Sequence, residues 1–343
     1  MKKKPIILGI ETSCDETSAA VLAGDTLLSN VISSQIDIHR RFGGVVPEIA
    51  SRNHLTAVLP VIDEALTIAG VDKRELTAVG VTYGAGLVGA LLVGVSAAKA
   101  LTYSLDIPLY AVNHIEAHIA ANYLSTPDLT PPFLAVVASG GHTGVCRVDG
   151  KNSFTMISST TDDAIGEAFD KVARAVGLPY PGGPEIDKRA KLGKPVISFI
   201  EQKHKRGAGE LSYSGLKTAV VNYLHNLEQR GEKPDTFDVC ASFQKTAVDM
   251  LVDRAVVEIE RSDIKTVVAA GGVSANSYLR SRLAEEGERV GAKVLFPPMS
   301  LCTDNAAMVA IRAKHMIEGG IAPAPLDLNA ASYLKINGTG GAI

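Results

Sequence analysis

Three observations predict an α/β fold built as two duplicated lobes with a cleft between them. A chain of 343 residues exceeds the usual size of one compact core. Its residues are 46% apolar with no tryptophan and 5% aromatics, so the core is made of Val, Leu, Ile and Ala, as in buried sheets flanked by helices. A strand–turn–strand pattern also occurs twice. Ile6-Ile7-Leu8-Gly9-Ile10, the polar turn Glu11 to Thr17 and Ser18 to Leu22 are echoed by Phe133 to Val137, Ala138-Ser139-Gly140-Gly141-His142-Thr143 and Gly144 to Val148.

Taken in chain order, Thr77 to Ala98 is uncharged and long enough to span a bilayer, but Gly80, Gly84, Gly86, Gly89 and Gly94 interrupt it. It divides into a strand over Thr77–Tyr83, a glycine turn and an Ala-rich helix running to Lys99, a core βα unit. The proline-rich stretch Leu124 to Pro132 reads as the crossing between lobes. A helix is expected from Asp162 to Val176, with an apolar stripe of Ile165, Phe169, Val172 and Val176, and Asp163, Glu167, Asp170 and Arg174 on its other face. The rigid loop Leu178 to Pro184 has the glycines of a close ligand approach, with Asp187 just beyond. Thr266 to Ala270 is a buried strand running into Gly271-Gly272 and a helix from about Ser274, an arrangement suited to a nucleotide. The closing helix is expected to start at Cys302-Thr303-Asp304-Asn305 with Thr303 as its cap and to end near Gly319-Gly320, followed by a loosely ordered tail after Ala322.

A formal charge of −3 argues against a broad basic surface for nucleic acid, leaving His39-Arg40-Arg41, Lys188-Arg189 and Lys203-His204-Lys205-Arg206 as local basic candidates. The four cysteines, at 14, 146, 240 and 302, lack the spacings of a disulfide framework or zinc knuckle and read as reduced cytosolic thiols. Met1 to Lys4 is basic, but the short apolar stretch behind it gives way to Glu11, Asp15 and Glu16, which is no secretory signal. A cytoplasmic protein without a membrane partner is expected.

The sharpest local signal is His114-Ile115-Glu116-Ala117-His118, because histidines four apart on a helix face one side and can grip one ion. Alone, the pair is weak evidence and reads sooner as two ordinary surface or core histidines. A zinc protease would need glutamate where Ile115 stands, and Glu116 points about 100° round the helix from that position. Gly84-Ala85-Gly86-Leu87-Val88-Gly89 fits the dinucleotide fingerprint, but the acidic residue that should end the next strand is missing, so it reads as a tight βα turn. Cys14 and Cys302 each adjoin an aspartate, which raises a thiol pKa, so both read as packing residues.

Taken together, the segments Gly9 to Thr17, His114-x-x-x-His118, Ser139 to Thr143, Tyr180 to Pro184, Ser212-Tyr213-Ser214-Gly215-Leu216-Lys217 and Cys302 to Ala307 resemble the TsaD family of tRNA N6-adenosine threonylcarbamoyltransferases, once misnamed glycoproteases. The match runs in order from about Ile6 to Ala313 without departure at the motif positions. The resemblance implies the actin-like ATPase fold of Hsp70 and sugar kinases. Its lobes are expected at 1–125, completed by the C-terminal helix over about 303–325, and at 130–300.

By the same resemblance the metal ligands are His114, His118 and Asp304, a set that suits Fe(II) and also Zn(II). Substrate contact is implied for Val137, Ala138, Ser139, Gly140, Gly141, Asp170, Gly183, Asp187 and Asn276. The implied reaction moves the threonylcarbamoyl group of threonylcarbamoyl-AMP to N6 of the adenosine beside the tRNA anticodon and releases AMP. Asp15 is the candidate general base, against the bland reading that it bonds its own turn. Implied partners are tRNA, a TsaB-like paralogue and a TsaE-like ATPase. Two other readings share the fold: a small-molecule kinase, which has no use for paired histidines, and a nucleotide-binding scaffold, which tolerates their loss.

Overall fold

The computed structural model describes residues 4–200 and 211–336, so the Lys203–Arg206 run lies outside the described residues. The chain divides into two units, one made of Met1–Pro131, Val148–Thr155 and Pro297–Ile343, the other of Pro132–Arg147 and Met156–Phe296.

The first unit opens with β1 (Ile6–Glu11), β2 (Glu16–Ala23) and β3 (Thr26–Ser34), an antiparallel meander. The short α1 (Ile36–Arg40) precedes α2 (Pro47–Ala69), which takes proline at its start and stops where Gly70 turns left-handed at φ 63°. Then come β4 (Ala78–Gly84), α3 (Val88–Leu105), β5 (Leu109–Asn113), α4 (His114–Ala120) and α5 (Asn122–Ser125). Strand order is β3-β2-β1-β4-β5, with β4 parallel to both β1 and β5. The expected strand, glycine turn and helix over Thr77–Lys99 are present, with α3 extending to Leu105. Although α3 has the length and hydropathy of a membrane span, its Ala90, Leu91, Val93, Gly94, Val95 and Ala98 are buried in the unit.

The second unit holds β6 (Phe133–Ala138), β7 (Thr143–Gly150) and β8 (Ser153–Ser159), the last two apart from their Val148–Thr155 ends, which belong to the first unit, and α6 (Ile165–Ala175), α7 (Gly182–Ala190), α8 (Tyr213–Gln229), α9 (Thr236–Arg261), β9 (Thr266–Ala270), α10 (Ser277–Arg289) and β10 (Lys293–Leu295). Its strand order, β8-β7-β6-β9-β10, repeats that of the first sheet with β6 standing where β1 stood. The repeated hairpin in the sequence is therefore the visible part of a duplicated topology. Each unit has its own core: Leu8, Ile10, Val79, Val81 and Val95 are among the buried residues of the first, Phe169, Phe243, Leu251 and Val267 among those of the second.

Three expectations are corrected. The Asp162 helix begins only at Ile165, because Asp162 turns away to accept hydrogen bonds from the Tyr213 N–H and the hydroxyls of Ser212 and Ser214, capping α8. The closing helix α11 (Ala306–Glu318) is capped by Asn305, whose side chain accepts from the Met308 N–H at 3.2 Å, rather than by Thr303. The segment after Ala322 is tied down: the Ala324 N–H donates to the Leu109 carbonyl at 2.7 Å, that of Ala331 to Tyr83 at 2.8 Å, and Leu328 is buried in the core.

The α11 helix lies across β1 and β4, where two glycines leave room for it. A Cβ on Gly9 would stand 2.3 Å from the Ala306 carbonyl oxygen, and one on Gly80 2.6 Å from the Ala313 Cβ. We expect Gly9→Ala to lower stability in urea unfolding by about 1–3 kcal/mol, since both obstructing atoms at Ala306 and Ala310 are backbone; an unchanged midpoint would contradict this packing. Further along α11, His315 is buried edge-on against Tyr123. Burial, then Lys151, Arg312 and Lys314, push its pKa down from 6.5 to about 3. Between those values the unfolded chain carries a proton that the folded chain does not, so stability falls as pH drops below 6.5, by about 1.4 kcal/mol per pH unit. From pH 7 to pH 5 the wild type should therefore lose about 2 kcal/mol more than His315→Gln in urea unfolding, and equal losses would exclude the assignment.

Candidate metal centre

The first two ligand candidates are placed by local sequence. Asn113 ends β5 and caps α4, its side chain accepting from the N–H groups of Ile115 at 2.9 Å and Glu116 at 3.3 Å. The helix therefore starts on His114, and His118 follows one turn later on the same side. Both are buried, their rings edge-to-face with centroids 4.6 Å apart. The third comes from the other end of the chain. Asp304 sits just before the Asn305 cap of α11, and its Oδ1 lies 3.0 Å from His118 Nε2 and 3.5 Å from His114 Nε2.

The candidate ligand atoms of the three residues lie within 4.8 Å of one another. Ligands each about 2.0–2.2 Å from one tetrahedral ion stand roughly 3.3–3.6 Å apart, close to the 3.5 and 3.0 Å between Asp304 Oδ1 and the two imidazole nitrogens, and two nitrogens with one carboxylate oxygen are donors that suit a divalent transition metal. Charge points the same way. Burial opposes ionisation of Asp304, but His114 and His118 outweigh it and hold its pKa at about 2. Burial likewise opposes a charged His114, yet Asp304 and Glu11 raise it to about 9. Two carboxylates, Glu11 fully buried and Asp304 partly so, thus demand positive charge at this point.

Residues of the Gly9 to Thr17 segment complete the surroundings, among them Glu11, to which the sequence assigned no role. Glu11 ends β1 with no exposure at all, accepts from the Ser13 N–H and the Thr82 hydroxyl, each at 2.5 Å, and lies 3.4 Å from His114 Nδ1. Burial pushes its carboxyl up, but the hydrogen bond to His114 and that group's charge bring the net shift below the usual value. Asp15 is buried in the same turn, its carbonyl accepting from the Gln35 N–H at 3.0 Å. Next to it Glu16 is raised to about 9 by burial, then by Asp15 and Asp304. Burial first, then Asp15, Asp304 and Glu16, push the Cys14 thiol well up, which agrees with a packing role.

Glu116, between the two histidines, turns away from them. It accepts from Arg312 Nε at 2.9 Å and from a terminal nitrogen at 2.7 Å, and Arg312, fully buried on α11, also donates to Asn152 Oδ1 at 2.6 Å and lies over the Phe154 ring. The glutamate is an anchor between α4 and α11. An arginine in the otherwise apolar run Ala306 to Ala313 was the one signal that a buried partner existed.

The remaining candidates belong to the second unit. Val137 and Ala138 are fully buried at the end of β6, and the turn after them closes by Ser139 N–H to the His142 carbonyl at 2.9 Å and His142 N–H to Ser139 Oγ at 3.0 Å. Gly140 and Gly141 at its tip are exposed, and a Cβ on either would meet no protein atom within 4 Å; the same is true of Gly183. Asp170 on α6 accepts from the Gly182 N–H at 2.7 Å, next to Gly183 at the start of α7. Asp187 on α7 accepts from Ser277 Oγ at 2.7 Å and pairs with Lys191. Asn276 caps α10, accepting from the Leu279 N–H at 2.9 Å and donating to Gln244 Oε1 at 2.8 Å; a 3-10 turn over Gly272–Ala275 precedes it, so the helix starts at Ser277 rather than Ser274. The structure thus links Asp170 with the Gly182-Gly183 turn and Asp187 with the start of α10, while His114, His118 and Asp304 form a separate cluster in the first unit.

Comparison with known proteins adds the family. A tRNA N6-adenosine threonylcarbamoyltransferase of Clostridium perfringens is 52% identical over 336 residues, covering 97% of this chain and 98% of the relative. The enzyme of the same name from Clostridium beijerinckii is 50% identical over 335 residues, covering 97% and 98%. Among solved structures, full-length HypF in its phosphate- and nucleotide-bound form superposes with a TM-score of 0.62 at 18% identity, over 94% of this chain and 48% of HypF. The 2-hydroxyisocaproyl-CoA dehydratase activator of Clostridium difficile does so at 0.52 and 12%, over 93% and 99%. These two share the actin-like ATPase fold. A family model described as TsaD, tRNA N6-adenosine threonylcarbamoyltransferase, matches residues 26–311, and the chain belongs to that family.

Proposed function

We propose that this protein transfers the threonylcarbamoyl group of threonylcarbamoyl-AMP to N6 of adenosine 37 in tRNAs that read ANN codons, forming t6A and releasing AMP. The observation that carries the reading is the His114–His118–Asp304 cluster, its two histidines buried, in a chain half-identical to enzymes of that name over nearly its whole length. A divalent ion held by these three residues, Fe(II) in the first instance and Zn(II) in the second, would supply Lewis-acid polarisation of a donor oxygen.

The chain's own residues meet the other demands of the reaction. The adenine amine is a weak nucleophile because its lone pair is conjugated into the ring, so positioning and charge stabilisation must supply most of the rate. As N6 attacks the carbamoyl carbon, the bond from that carbon to the phosphate oxygen breaks, AMP departs, and one N6 proton must go to a base. Asp15 is assigned that proton. Gly140 and Gly141, where an added Cβ would enter open space, are assigned to the adenylate, together with Asp170, Gly183, Asp187 and Asn276. Val137, Ala138 and Ser139 shape that turn.

Beyond tRNA, the proposed partners are a TsaB-like paralogue and a TsaE-like ATPase. Leu55 and Leu59 on α2 and Val88 and Leu92 on α3 are exposed apolar residues suited to a helical contact with such a paralogue. Work in the cytoplasm is proposed from the spacing of the four cysteines, which is not that of a disulfide framework.

Incubating the protein and its partners with synthetic threonylcarbamoyl-AMP and unmodified tRNA should yield the modified nucleoside by mass spectrometry. With His114→Ala the product should disappear while nucleotide binding persists; product at the wild-type rate would refute the metal-centred transfer and favour a scaffold. Asp15→Asn should lower kcat by about 10²–10⁴, and full retention would remove Asp15 from the chemistry. Gly141→Val should leave the unfolding midpoint unchanged, since its side chain meets no protein atom, yet weaken donor binding measured by calorimetry at least about tenfold. Unaltered donor affinity would free that turn of its assigned ligand.

A further inference from the structure

Glu11 is a charged side chain with no solvent contact, and nothing in the proposed chemistry uses it directly. Its surroundings state what it does. An imidazole offers a lone pair to a metal at one nitrogen only when its proton sits on the other, so the partner of the second nitrogen selects the ligating one. For His114, Nε2 faces Asp304 at 3.5 Å, and Nδ1 faces Glu11 Oε2 at 3.4 Å and Ser13 Oγ at 3.1 Å. The hydroxyl does not discriminate, because it rotates to donate or accept as required. An ionised carboxylate can only accept.

The Glu11 carboxylate is also clamped. Ser13 donates its backbone N–H to one oxygen and Thr82, on the neighbouring β4, donates its hydroxyl to the other, so the group is fixed between two central strands of the sheet. His118 has no counterpart: its Nδ1 is buried and without a hydrogen-bond partner among the described residues. Orientation of the pair therefore rests on the His114 side.

We propose that Glu11 is the positioning residue of the metal centre: it accepts the Nδ1 proton of His114 and so presents Nε2 to the ion, with Ser13 and Thr82 holding the carboxylate in place. This rests on the metal-binding reading above and names the group that tunes it. Removing such a partner of a metal-bound histidine costs about 10–100-fold in metal affinity.

The test uses the full-length protein stripped of metal by chelation and titrated with Co(II), read by its visible d–d bands and by competition with a chelating dye. Glutamine keeps the shape of Glu11 but offers donors as well as an acceptor, so it no longer selects the tautomer. Glu11→Gln should bind Co(II) about 10–100-fold more weakly, with shifted bands and an unchanged far-UV circular dichroism spectrum. Thr82→Val removes only the hydroxyl that holds Oε2, should weaken binding in the same direction, and decides the matter if Glu11→Gln does not fold. Wild-type affinity in either folded variant, or loss in Ser13→Ala with none in Glu11→Gln, overturns the proposal while leaving the metal centre intact. No Co(II) binding by the wild type, with His118→Ala indistinguishable from it, overturns the metal reading itself.

Discussion

Asp304 must reach a histidine pair almost two hundred residues earlier in the chain, and everything at the centre depends on how α11 is seated to bring it there. The seat is made by subtraction. Glycines at 9 and 80 let the helix backbone approach β1 and β4 more closely than any side chain would allow. The buried Arg312–Glu116 pair then locks α11 to α4, so that the helix delivering the carboxylate and the helix delivering both imidazoles are held by one contact. A buried ion pair is a poor source of net stability, because desolvation offsets its attraction. Its value here is in register: a shift of α11 by one turn would move Asp304 by about 5 Å and dissolve the cluster.

The same seat accounts for the electrostatics. Glu11, Asp15, Glu16 and Asp304 come from two ends of the chain and are gathered in one place, so Asp304 raises the cost of ionising Glu11, and Asp15 and Asp304 that of ionising Glu16. Glu16 answers by keeping its proton near neutrality, whereas Asp304 and Glu11 answer by holding a cation, the charged His114. Such a site selects for positive charge before any ligand arrives. It also silences Cys14, whose thiolate would be one more anion in the same space.

How much of this was legible in the sequence follows from the range of the interaction concerned. The duplicated hairpin, the paired histidines and the β4–α3 unit were readable because each depends on neighbours in the chain, through periodicities of two and 3.6 residues. Asp304 as the third candidate ligand was not; it entered by family resemblance, since no local pattern marks it. Thr303 and Asp162 looked like helix starts by residue type, but Asn305 takes the cap of α11 and Asp162 spends its oxygens on α8, choices that tertiary contacts make. The tail after Ala322 has the small and polar residues of a loose end, and only the structure reveals Leu328 entering the core and the backbone joining β4 and β5. Glu11 and Arg312 were hidden for a related reason: a buried charge is defined by a partner distant in sequence.

Glycine shows the limit most clearly, because the same letter answers two different needs. Gly84 and Gly86 match a nucleotide-binding pattern, yet a Cβ there would meet the Ala331 and Ser13 carbonyl oxygens at 2.4 and 2.6 Å. The crowding that demands glycine at those positions comes from the chain itself. Gly140, Gly141 and Gly183 have ordinary backbone angles and no protein atom near a would-be Cβ, so neither strain nor packing accounts for them. Under the proposed function, that open space is where the adenylate would lie. A turn without side chains at its tip lets an anion come close to the backbone, and a Cβ would hold that anion away. The pattern in the sequence could not separate the two kinds of glycine, whereas the distance from each Cβ position to the nearest atom does.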